Sequence, residues 1–312
     1  MGIPLDPAPI RPRCVSWRRS FAAIAALLLL CGAAVARPFV IGSISSSPGA
    51  EIETLQPLAD YLARGLRDLG TERGRVVVAP GIPEMVERVR SGAIDLFPDS
   101  PYPSLAVQRG ARTKIILRAW KGGKAEYHSV IVVRNDSPIR TLRDLVGGRI
   151  AFESSFSTSG YWVPAGALRA WGLKLRALDS AGAATGRGEV GYLFSQGHDN
   201  SLLWVMRAKV DAAALGIHEW EKSGAAGTAG LRILHETPPV PRFLVSVRGD
   251  LPETMVAKVR EILVSMEHAE EGRRVLQAVW KTTRFDPLPK GTEAALARLF
   301  PPHALDAAGG GR

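Results

Sequence analysis

Gly147–Leu168 reads GGRIAFESSFSTSGYWVPAGAL. Arg149–Phe152 is a short apolar strand, Ser154–Ser159 a loop of small residues, and a helix is predicted from about Gly160 to Trp171. Ser157, Thr158 and Ser159 therefore stand at a helix N-terminus. There the first backbone N–H groups lack intrahelical partners, and the positive end of the dipole favours an anion. Three consecutive hydroxyls add donors, and their small side chains allow close approach. A single Ser or Thr at such a place is ordinarily just a cap; three in a row after a strand suit a bound anion as well as they suit capping.

The same alternation extends in both directions. Upstream, strands are predicted at Arg37–Ser43, Arg75–Ala79 and Ile94–Phe97. Between them lie a helix placing Leu55, Leu58, Ala59, Leu62, Leu66 and Leu69 on one face, and a shorter one at Pro83–Arg90. The pattern restarts with strands at Ser129–Val133, Glu189–Phe194, Val210–Leu215 and Phe243–Val247, and helices at Thr141–Val146 and Asn200–Ala208. Amphipathic helices at Pro252–Ser265 and Glu270–Val279 follow. Continuous apolar strands alternating with helices imply α/β lobes built on parallel sheets covered on both faces.

The chain has 312 residues, with 40 Lys plus Arg against 30 Asp plus Glu. Its basic balance raises a nucleic-acid reading, but the charge is scattered over helix faces. The first 36 residues read as a secretory signal: Arg11, Arg13, Arg18 and Arg19, an apolar run from Phe21 to Leu30, then Ala34-Val35-Ala36. Four of the basic residues and one acidic residue lie before Arg37, leaving a net charge of +7 in the expected mature chain. Cys14 and Cys31 are the two cysteines, so no disulfide framework is expected.

The segment Asp136–Leu168, DSPIRTLRDLVGGRIAFESSFSTSGYWVPAGAL, closely resembles the phosphate/phosphonate/phosphite-binding periplasmic proteins of ABC importers, the PhnD-like family. In that family a strand and "D-L-x-G-x" precede an "S-T-S-G-[YF]-x-x-P" loop. EYHSVIVVRNDSPI (126–139), QGHDNSLLWVMRAKVDAAAL (196–215) and PPVPRFLVSVRGDLP (238–252) continue the likeness, and SGAIDLFPDSPYPSLAVQRGA (91–111) is a more divergent part of it. The resemblance implies an α/β, two-lobed periplasmic binding protein of type II, with two hinge crossovers and a ligand cleft between the lobes. Residues 37–126 with 246–312 would form lobe 1, and 127–245 lobe 2. A monomer holding a small phosphorus oxyanion and delivering it to an ABC permease is implied. By position in the family motifs, Ser157, Thr158 and Ser159 would hold oxygens, Tyr127 would donate from the hinge, and His198 of "G-H-[DE]" would complete the grip. Where aminoethylphosphonate binders carry acids for the ammonium, this chain has His218, with Glu219 adjacent, and Phe243. Ile82 stands in place of a tyrosine. A ligand without a cationic tail is therefore expected.

An exported serine hydrolase using Ser159, His198 and Asp211 lacks a G-x-S-x-G elbow. No H-x-x-x-H pair suggests a metal. Lys121-Gly122-Gly123-Lys124 is no P-loop and reads as a solvated turn, so no cofactor is expected. The same pocket would equally serve a protein that presents an oxyanion to a sensor kinase, and its residues do not separate that role from transport.

Overall fold

The computed structural model describes residues 37–45 and 47–300, together with Gly2 and Leu305. Apart from Gly2, the expected signal segment lies outside the described residues, as do both cysteines. Among the described residues no helix is long and apolar enough to cross a membrane.

Two six-stranded sheets organise residues 37–300. The first holds β1 (Arg37–Ile44), β2 (Thr71–Ala79), β3 (Leu96–Asp99) and β4 (Lys114–Lys121), joined later by β13 (Phe243–Val247) and β14 (Thr282–Asp286), in the order β14-β4-β13-β3-β1-β2. The second holds β6 (Ser129–Arg134), β7 (Arg149–Phe152), β8 (Lys174–Ala177), β9 (Glu189–Phe194), β10 (Ala212–Gly216) and β11 (Leu231–Glu236), in the order β11-β6-β10-β7-β9-β8. The outward crossover contains β5 (Glu126–Tyr127) and the return crossover β12 (Val240–Pro241). These two pair antiparallel, with Val240 opposite Tyr127.

The sheets are mixed rather than parallel. β1 runs parallel to β2 and β3, and β7 parallel to β9 and β10. β13, however, is antiparallel to both β3 and β4, and β6 is antiparallel to β10 and β11. The crossovers explain this: β6 and β13 are each entered from the hinge, so they run away from it while their neighbours run toward it.

The first long helix, α1 (Pro48–Gly65), starts seven residues earlier than periodicity suggests. Pro48 sits in its first turn, where the missing N–H costs nothing and the fixed φ is already helical. Leu55, Leu58, Leu62 and Leu66 pack on Phe39 and Ile41, but Leu69 falls in a 3₁₀ turn and is exposed. On the opposite face, α2 (Ile82–Arg90) and α3 (Pro101–Ala111) bury Ile82, Met85 and Val107 against Val40, Phe97 and Leu244. The sequence reading missed α3 and β4; three prolines and two serines at 98–104 disguise the helix start.

In the second lobe, a π-helical turn (Thr158–Trp162) leads directly into α4 (Val163–Ala170). Next come α5 (His198–Met206) and α6 (Ile217–Gly227). The chain closes with α7 (Glu253–Ser265), α8 (Glu270–Ala278) and α9 (Thr292–Leu299). The lobes touch through aromatic rings: Tyr102 of α3 stacks on Trp162 at 4.2 Å and meets Phe300 edge-on at 5.8 Å.

Candidate functional site

β1, β3 and β4 of the first sheet and β7 and β10 of the second all end toward one interlobe cavity of about 260 Å³. Ligands of open α/β sheets favour this location, beyond the carboxyl ends of strands. First-turn or capping residues of three helices line it: Ser100 before α3, Ser157–Ser159 at the π-turn, and Glu219 of α6.

The serine-threonine loop is tied down residue by residue. Ser157 caps the π-turn, accepting from the Gly160 N–H at 2.9 Å and donating to Glu153 Oε2 at 2.7 Å. Thr158 is buried and reaches across the cleft. It accepts from the Tyr102 N–H at 3.0 Å and donates to Ser100 Oγ at 2.9 Å. Ser159 hydrogen-bonds Tyr127, whose phenol is pushed well above its ordinary range by burial. Gly160 follows because a Cβ there would come within 2.5 Å of the Glu153 Cβ. Gly216 ends β10 for a similar reason: a Cβ would meet Glu219 Oε2 at 2.3 Å and Ser159 Oγ at 3.0 Å.

Two cations complete the wall. Lys121 ends β4, and its ammonium is pushed down from the usual lysine range by burial and by the neighbouring Arg242. It lies 5.0 Å from the Phe243 ring. Arg242, 5% exposed, sits 5.0 Å over Tyr127, and its Nε–H has no partner among the described residues. Three carboxyl groups share the cavity with them: Asp99, Glu153 and Glu219. Desolvation pushes Asp99 from its ordinary value of 3.8 up to about 7, against hydrogen bonds from the Ser100 N–H at 2.6 Å and hydroxyl at 3.1 Å. Glu219 Oε2 is buried and unpartnered.

The structure thus brings Tyr127, Ser157, Thr158 and Ser159 together and sets His198 apart from them. His198 opens α5 and lines a neighbouring depression with His218, its Nε2 3.4 Å from Asp199. Asp211 accepts the Arg149 N–H at 2.8 Å, and no hydrogen bond joins any two of Ser159, His198 and Asp211 among the described residues. Of the two positions where aminoethylphosphonate binders carry acids, Phe243 lines the cavity and His218 the neighbouring depression, with the adjacent Glu219 lining both; Ile82, in the place of a tyrosine, is in the core. Lys121, Arg242 and Asp99 were not singled out from sequence. The Lys121-Gly122-Gly123-Lys124 turn exists, with both glycines at positive φ, but its first lysine faces the cleft rather than solvent. Arg242, between Pro241 and Phe243 at the start of a strand, carried a signal: a lone cation where the return crossover re-enters the core.

The family of phosphonate-type periplasmic substrate-binding proteins of ABC transporters matches residues 41–290. The chain belongs to this family. It is 27% identical over 162 residues to the phosphonates-binding periplasmic protein of Escherichia coli, an alignment covering 50% of this chain and 45% of that relative's length. XAC2383 from Xanthomonas citri shares 28% identity in both its chloride-bound and ATP-bound structures. Their TM-scores are 0.82 and 0.79, with 86% and 88% of this chain and 98% of that one covered. PhnD1 from Prochlorococcus marinus, in complex with methylphosphonate, has the same fold at 18% identity (TM-score 0.63; 84% and 97% covered). The two-lobed type II architecture is therefore that of this family.

Proposed function

We propose that the protein is a monomeric periplasmic solute-binding protein that captures a small phosphorus oxyanion and delivers it to an ABC importer. The observation that carries this reading is the arrangement of Thr158 and Ser159, at a helix N-terminus, facing Lys121 and Arg242 across one cavity. Backbone donors and hydroxyls recognise oxygens geometrically, and the two cations supply the charge. The methylphosphonate of PhnD1 and the ATP of XAC2383 both present such an oxyanion. Tyr127 positions Ser159, and Ser157 holds the turn in shape through Glu153.

A second reading has its own support. Glu219, with an unpartnered buried oxygen in the cavity, is placed to neutralise an ammonium, so an aminoalkylphosphonate also fits.

Titration calorimetry with methylphosphonate, phosphate, phosphite, aminoethylphosphonate and sulfate tests both. At least one phosphorus oxyanion should bind. Thr158→Ala with Ser159→Ala should weaken it by tenfold or more, since each hydrogen bond to a charged group contributes about 1.5–3 kcal/mol. Binding to none of the panel sinks the reading. Aminoethylphosphonate preferred over methylphosphonate selects the second reading.

A further inference from the structure

Lys121, Glu219 and Arg242 line the oxyanion cavity on one side and a larger depression of about 440 Å³ on the other. Five basic side chains (Lys121, Lys124, Lys222, Arg242 and Lys281) border this outer basin, and Glu219 is the one carboxylate among its lining residues. His198 and His218 line it too, and burial with the nearby Arg242 pulls the His218 imidazole below its ordinary value.

These cations are poorly neutralised. Lys124 is 3.5 Å from Glu221, but among the described residues no carboxylate pairs with Lys222 or Lys281. The nearly buried Arg242 keeps an Nε–H without a partner at the junction of the two chambers. Burying a guanidinium with an unmade hydrogen bond is unfavourable, and an oxyanion against the Arg242 guanidinium would offset the cost of its buried charge.

The rim is also built rather than loose. Trp280 and Lys281 both adopt left-handed backbone, φ 53° and 56°, and the Lys281 carbonyl accepts the Gly122 N–H at 2.8 Å. That bond ties the β4 turn to the segment entering β14 and holds Lys281 on the basin wall. Trp280 packs on Phe243 at 4.9 Å, giving the basin one flat apolar side. Non-glycine residues in this conformation persist where the surroundings impose it.

We propose that the outer basin is a second anion subsite, so that the ligand carries two phosphorus oxyanion groups, one in each chamber, with Lys121 and Arg242 between them. The proposal rests on the inner cavity being an oxyanion site. It assigns the ligand class as condensed phosphates or bisphosphonates rather than single-group oxyanions, and gives His198 a place at the second group.

Calorimetry of the full chain at physiological salt with methylphosphonate, pyrophosphate and tripolyphosphate tests it. Pyrophosphate or tripolyphosphate should bind at least about tenfold tighter than methylphosphonate. Lys124→Ala with Lys222→Ala and Lys281→Ala should abolish that preference while leaving methylphosphonate affinity within about twofold. These exposed lysines lie outside the inner cavity, and unfolding by urea would verify that the variant is folded. Equal affinity for all three probes in the unaltered protein, or equal weakening of all three in the variant, overturns the second subsite. Absence of methylphosphonate, phosphate and phosphite binding in the unaltered protein instead overturns the oxyanion cavity itself.

Discussion

The two ends of β3 place acidic side chains in opposite circumstances. At the entry, Asp95 is fully buried and completely partnered: Arg37 grips it at 2.8 and 3.1 Å, the Val40 N–H donates at 2.9 Å, and Arg248 reaches it at 3.2 Å. At the exit, four residues on, Asp99 faces the cleft with hydrogen bonds from Ser100 alone and a weaker pull from Lys121; desolvation outweighs both, and its pKa climbs to about 7. The first carboxylate clasps β1, β3 and the end of β13 into one sheet. The second leaves unmet potential beside Glu219 and Arg242, both of which also have unpartnered atoms. Burial alone does not mark a functional group; incomplete partnering beside a cavity does.

The largest effect expected from breaking this contrast is at the partnered end. Asp95→Ala leaves two guanidinium groups and the Val40 N–H without their acceptor. Removing one member of a buried ion pair typically costs 3–5 kcal/mol, and because Arg37 is nearly half exposed a loss of about 3 kcal/mol is expected by urea unfolding. Ligand affinity should change little in the folded fraction. A marked loss of affinity with unchanged stability would reverse the roles assigned to the two ends.

Glu153 is the intermediate case, a cavity carboxylate that has its partner in Ser157. Gly160→Ala would drive a methyl into Glu153 and dislodge that bond. Overpacking of this kind costs about 1–3 kcal/mol, and here it should also weaken methylphosphonate binding by disordering the turn that presents Thr158 and Ser159. A variant with undiminished affinity and stability would show that the turn does not depend on this close approach.

The pH response sharpens the comparison further. Asp99 is raised in the folded protein relative to 3.8, so the folded chain holds an extra proton between about pH 4 and pH 7. Its contribution to stability is therefore lost as pH rises through that window and stays lost above it. Asp99→Asn keeps a neutral side chain at every pH. Relative to the unaltered protein, this variant should gain stability as pH goes from 5 to 8. It should also bind methylphosphonate several-fold more tightly at pH 8 than the unaltered protein, with the two converging near pH 6, because ionised Asp99 repels the anion. Parallel affinity curves from pH 6 to pH 8 would remove Asp99 from the site. Common titration of the ligand cancels in this comparison.

Local signals carried much of this architecture. The strand Arg149–Phe152, the helix start a few residues later and the apolar face of α1 all follow from short-range periodicity, and the structure places them within a few residues. Ser157, Thr158, Ser159 and Tyr127 were legible because they lie in contiguous motifs. Lys121, Asp99 and Arg242 were not, because each is a single charged residue at a strand or crossover end. The antiparallel insertion of β13 between β3 and β4 brings Arg242 and Lys121 beside Asp99. That pairing joins segments about 140 residues apart, and nothing in either segment announces it. Likewise α3 begins inside a proline-rich stretch, whose helical start depends on Pro101 at the first turn and on Tyr102 finding Trp162 in the other lobe.

The smallest effect concerns Glu219 and tests what the unpartnered groups are for. Its carboxylate lies between the inner cavity and the basic basin, close enough to Lys121 and Arg242 to influence the lysine's charge. If the cavity receives only anions, this carboxylate opposes them, and Glu219→Gln should tighten methylphosphonate by about two- to fivefold, the scale of a partly screened like-charge contact. If the carboxylate instead receives an ammonium, the same change should leave methylphosphonate improved but weaken aminoethylphosphonate by about tenfold, since a buried cation would lose its counter-charge. The ratio of the two affinities, measured by calorimetry in both proteins, therefore separates the readings even though each single change is small. An unchanged ratio together with unchanged methylphosphonate affinity would mean that Glu219 meets no ligand, and that its buried oxygen is balanced by Lys121 and Arg242 alone.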